Sequence, residues 1–136
     1  MENLSLSYSN EQNILYLQNQ FLINGFHYFK VKNILDGRKI ILTMLNSLNY
    51  YNNIACLTSN NNEFRENVFD IYYTLTKENS TENIDNLVNF FLETFDFDFM
   101  WIEESKDFIE TSWYKIFKQH LIDFNFYKVI PIMIIS

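Results

Sequence analysis

The spacing of apolar residues in this chain switches back and forth between a helical period and the unbroken runs of buried strands, and that alternation narrows the possible folds more than any other feature. From Asp36 onward, Ile40, Ile41, Met44, Leu45 and Leu48 recur at helical spacing and share one face. Asp36 is the expected N-cap of that helix. "NIACLTS" (53–59) then runs apolar between polar neighbours, which predicts a strand covered on both sides. The stretches 97–102 and 128–135 repeat the strand pattern. Between them Ile109, Trp113, Ile116, Phe117, His120, Leu121 and Phe124 form an amphipathic helix, with Asp107 as cap and Glu110 completing a capping-box variant. Phe64, Val68, Ile71, Tyr72 and Leu75 predict a helix after the loop "SNNNE". Ile84, Leu87, Val88, Phe91 and Leu92 predict another, capped by Ser80 or Thr81.

Upstream, residues 1–12 are polar and read as a lead-in, while 13–136 read as a single domain. The apolar pieces 13–17, 21–23 and 26–31 supply strands, two being favoured. The resulting order predicts an α/β fold, a mostly parallel sheet of about four to five strands with helices on both faces. Such sheets bind ligands at the carboxyl ends of their strands. Pro131 argues against a fully bonded central position for the last strand; an exposed edge there would invite strand addition or self-association, and the alternative is that this strand is central and Trp113 is part of the core.

A length of 136 residues suits one core. The formal charge of −7, with ten Lys and Arg scattered along the chain, argues against nucleic-acid partners. No apolar stretch approaches the length of a membrane span, and the start lacks the pattern of a signal peptide, so no membrane insertion and a cytoplasmic location are expected. A single cysteine, Cys56, agrees with a reducing compartment.

In such a sheet the strand ends are where chemistry is expected. "FMWIEE" (99–104) is an apolar strand ending in paired acids, and with the strand, loop and helix upstream it resembles the core of the P-loop NTPases, in particular their RecA-like branch. The resemblance implies that Glu103 holds magnesium through water and that Glu104 polarises the attacking water. The matching phosphate loop would be "KNILDGRKI" (32–40), and it departs from G-x-x-x-x-G-K-[ST]. Gly37 fits the second glycine, but Lys32 replaces the first, Arg38 the lysine and Lys39 the hydroxyl. Only 2 glycines occur in the whole chain, too few to build another loop that cradles phosphate on bare backbone amides. The resemblance therefore implies a degenerate member that retains the fold.

The remaining candidates are sparse. His27, His120 and Cys56 have no short ligand spacing, so no metal site is expected. Cys56 falls inside a buried strand, where a thiol behaves as a small apolar group. In "DFDFMWIEES" Asp96 and Asp98 are expected to face solvent at the strand entrance, and Glu103 and Glu104 to return the chain to water. Two functions follow as expectations. One is a non-catalytic adaptor or scaffold that binds a protein partner or itself, with Trp101 and Trp113 as anchors and no cofactor. The other is a regulatory nucleotide-binding domain in which Gly37, Arg38 and Lys39 face an anion while Glu103 and Glu104 face a metal.

Overall fold

The computed structural model describes residues 4–6, 11–59, 71–75 and 96–136. In chain order they form β1 (Leu4–Leu6), α1 (Glu11–Phe21), β2 (Gly25–Val31), α2 (Ile34–Ser47), β3 (Ile54–Thr58) and β4 (Ile71–Leu75). There follow β5 (Phe99–Glu103), α3 (Lys106–Ile109), α4 (Ser112–Asp123), α5 (Phe126–Val129) and β6 (Pro131–Ile135). The strands make one sheet in the order β1-β2-β6-β5-β3-β4, and every neighbouring pair is parallel. The expected α/β fold is thus present, with six strands among the described residues.

Strand order explains the helix layers. The steps β1 to β2 and β2 to β3 run one way along the sheet, and the step β5 to β6 runs the other way. Crossovers of a single hand then place the first set of helices on one face and the second set on the opposite face. One core accordingly gathers Leu17 of α1 and Ile40, Ile41, Met44 and Leu45 of α2 over Phe29, Ile54, Cys56, Phe99, Trp101, Met133 and Ile135. The other gathers Phe108, Tyr114, Phe117 and Leu121 over Ala55, Leu57, Met100, Ile102, Ile132 and Ile134. Alternate residues of each central strand therefore serve opposite cores, and both faces demand apolar side chains.

Several sequence expectations are corrected. Residues 11–21 are helical, because Ile14, Leu17 and Phe21 fall on one helical stripe that packs into the α2 core. A strand, β1, lies within the polar lead-in. Residues Ile71–Leu75 pair with β3 as a strand, in keeping with their aromatic and β-branched content. The helix expected over 84–92, its caps Ser80 and Thr81, and the residues Phe64 and Val68 lie outside the described residues.

The last helical region is broken in two, and its caps are Ser105, which accepts from the Phe108 amide, and Thr111, which accepts from the Tyr114 amide, in place of Asp107. Finally, β6 is central, between β2 and β5, so its edge is not open. Pro131 is tolerated there because it opens the strand.

Candidate functional site

The loops after β2 and β5 leave the sheet toward opposite faces, with β6 between the two strands, and this divergence marks the place where an α/β sheet offers a ligand crevice. At that place a buried polar cluster is found.

It is built from α2. Asn33 caps the helix: its side-chain oxygen accepts from the Asp36 amide at 2.9 Å, and its Nδ2 donates back to Asp36 Oδ2 at 2.9 Å. Asp36, the expected cap, is thus the partner of the cap. One residue on, Gly37 lies in the helix with its amide bonded to Asn33 O, and a Cβ there would stand 2.7 Å from Ile135 Cδ1. Glycine is needed for this close approach of helix to strand, and its amide already has a partner within the helix. The approach carries Arg38 into the core on the stripe it shares with Ile34, Ile41 and Leu45.

Strand alternation supplies the rest. Ile54 and Cys56 of β3 and Phe99 and Trp101 of β5 face α2, so Thr58 and Glu103, two residues further along, face it too. Arg38 is 0% exposed and Glu103 1%. The guanidinium grips the carboxylate with two bonds, Nε to Oε2 at 2.7 Å and Nη2 to Oε1 at 2.6 Å. Thr58 Oγ1 donates to Oε1 at 2.6 Å, Trp101 Nε1 donates to Oε2 at 2.9 Å, and Arg38 Nη2 also reaches Thr58 Oγ1 at 3.3 Å.

Glu103 does not return the chain to water. A buried carboxylate is tolerable here because a planar cation and two further donors replace its hydration. Trp101, expected as an exposed anchor, is fully buried and serves as one of those donors.

A carboxylate has about four lone-pair positions, and here each oxygen accepts two bonds. No position is left for a metal ion or for a proton from substrate. Arg38 cannot act as a general acid, because its guanidinium stays protonated in proteins. The cluster joins α2, β3 and β5 and offers no acid-base chemistry.

The other candidates lie apart from it. Lys39 is exposed, one position off the buried stripe. Glu104 is half-buried and pairs with Lys118 at 3.5 Å. Trp113 falls in α4, and its side chain is outside the described residues. His27 Nε2 lies 2.7 Å from Ile23 O, and the His120 ring stacks on Phe124 at 5.4 Å. Cys56 is buried, and that burial pushes its thiol well above the ordinary value, an effect added to by the Glu103 charge and opposed by Arg38. Asp96 and Asp98 are exposed around buried Phe97, as expected.

Among the described residues no group of three His, Cys, Asp or Glu is placed to hold a metal ion, and no helix is long and apolar enough to cross a membrane.

The Arg38–Glu103 pairing was missed from sequence, although two signals existed: an arginine on an apolar helical stripe, and an acid ending an otherwise apolar strand. Fold and cluster together define a parallel α/β protein with a buried Arg38–Glu103 ion pair where α2 meets the carboxyl ends of β3 and β5. No protein-family model matches the chain, and no curated protein does.

Proposed function

We propose that this chain is a non-catalytic adaptor or scaffold that works by binding another protein. The observation that carries the reading is the saturated Glu103 carboxylate, which accepts four hydrogen bonds from Arg38, Thr58 and Trp101. On the resemblance to the P-loop NTPases, Arg38 stands where the phosphate-binding lysine would be and Glu103 where the magnesium-holding acid would be. Here the two neutralise each other, which suits a degenerate member that keeps the sheet without the nucleotide.

A surface for a partner is offered at the opposite end of the sheet. Leu22 is 78% exposed, Val129 66% and Ile23 51%. Two bonds, Asn24 Nδ2 to Lys128 O and the Gly25 amide to Ile130 O, hold the segments bearing them side by side. Exposed apolar groups gathered in this way commonly mark interaction sites.

Thermal unfolding with ATP or GTP and magnesium tests the first half of the reading, since any ligand of the folded state raises Tm. No rise is expected; a rise that Glu103→Gln abolishes overturns the proposal. Capture from native extract tests the second half, comparing the full chain with a Leu22→Glu/Val129→Glu variant of equal Tm. A protein retained by the first and lost by the second is expected, and capture of none overturns the reading.

A further inference from the structure

At the amino end of the sheet the exposed apolar residues meet acidic ones. Phe26, Ile132, Met100 and Ala55 pair in one row across β2, β6, β5 and β3, so the segments just ahead of these strands lie side by side. The row spans three strand spacings, about 14 Å. Leu22 and Ile23 stand ahead of β2, Val129 stands ahead of β6, and the exposed Asp96 and Asp98 stand next to them, ahead of β5.

The charge at this end is negative. Asp96, Asp98 and, at the end of α4, Asp123 outnumber Lys128. Helices α1 and α2 also run back to this end, and neither has a basic residue in its last turn. Their carbonyl ends, each equivalent to roughly half a negative charge, therefore add to the field of the carboxylates. Backbone groups are paired across the row, the Gly25 amide to Ile130 O at 3.2 Å and the Asp98 amide to Asn53 O at 2.9 Å. An added strand would find no partner in these bonded groups, which leaves side-chain packing as the way to bind here.

We propose that the occupant of this surface is a cationic amphipathic helix of another protein. Its apolar side lies on Leu22, Ile23 and Val129, and its Lys or Arg side chains face Asp96 and Asp98. About nine residues of helix cover the row, at 1.5 Å per residue. The inference rests on the protein-binding reading above and adds the chemistry of the partner. A second copy of this chain would bring the same negative end and is disfavoured by repulsion.

The probe is a fluorescein-labelled peptide of about 14 residues, Leu and Lys at amphipathic helical spacing, titrated into the full chain at low salt and followed by anisotropy. The same peptide with Glu for Lys is the control and should not bind. Leu22→Gln/Val129→Gln should weaken binding about tenfold, and Asp96→Asn/Asp98→Asn about fivefold. Asp107→Asn/Glu110→Gln removes as much charge at the other end of the sheet and should change binding by under about twofold. Amide shifts in the unmodified chain should cluster at 22–24, 96–98 and 128–130, a readout that needs no variant to fold. Equal binding of the Glu peptide, shifts elsewhere, equal losses in the two acid pairs, or a dimer that Leu22→Gln/Val129→Gln abolishes each overturns the proposal. If the peptide fails while extract capture still depends on Leu22 and Val129, the cationic chemistry falls and the protein-binding reading stands; capture of no protein overturns that reading itself.

Discussion

Gly37 of α2 lies directly against Ile135 of β6, so that a Cβ on the glycine would stand 2.7 Å from Ile135 Cδ1 and 2.9 Å from Val31 Cγ1. This contact seats the first turn of α2 on the central strand and brings Arg38 within reach of Glu103. Gly37→Ala gains about 1 kcal/mol of helix propensity. Overpacking opposes it by about 1–3 kcal/mol, and β-branched Val31 has little freedom to turn away. The variant should therefore be less stable by about 1 kcal/mol, measured as a lower urea midpoint.

Breaking the buried pair from either side should be costly. Glu103→Gln and Arg38→Met each leave one charge buried without its counter-charge, and each should lose about 3–5 kcal/mol of stability. The double variant leaves neither charge behind, so its loss should fall short of the sum by about 2 kcal/mol or more. Singles that unfold at the wild-type urea midpoint would remove the structural role assigned to the pair.

Asn33, not Asp36, satisfies the open end of α2. Asn33→Ala should cost about 1 kcal/mol, the usual worth of an N-cap. Asp36→Ala forfeits only the exposed Asn33–Asp36 side-chain bond and a favourable charge in the first helical turn, and should cost about 0.5 kcal/mol. The ranking of the two in chemical denaturation checks which residue is the cap.

Cys56 makes alkaline stability pH-dependent. Its thiol is raised in the folded chain, chiefly by burial, whereas in the unfolded chain it ionises at about 8.5. Above that pH the unfolded state binds fewer protons than the folded state, so stability falls as pH rises toward the folded value and is fully retained below about 8.5. In Cys56→Ala the alkaline decline should be shallower by one proton's contribution. Thiol reagents should label the wild-type cysteine only at urea concentrations that unfold the chain.

Much of the fold was legible because periodicity is local. The α2 stripe Ile40, Ile41, Met44 and Leu45, the fully buried β3, and the strand 99–103 all follow from side chains meeting the demands of both sheet faces. The misread segments had two valid local readings. Ile14, Leu17 and Phe21 sit among residues that also suit a strand, and packing on α2 selected the helix. The aromatic and β-branched run Ile71–Leu75 happened to extend a helical spacing begun upstream, and pairing with β3 made it a strand. Pro131 suggested an edge, but its missing amide matters little at the first residue of a strand.

The sequence by itself determined a parallel α/β chain with too little glycine for a phosphate loop, because residue type and spacing set local conformation and exclude chemistries that need particular residues. Only the tertiary structure decided what Arg38 and Glu103 do. They are 65 positions apart, and no local pattern reveals that strand order and the Gly37–Ile135 contact will bring them together. Away from water and beside each other, the two charges find their lowest free energy in a mutual bond, and residues that read individually as ligand groups become a closed part of the core.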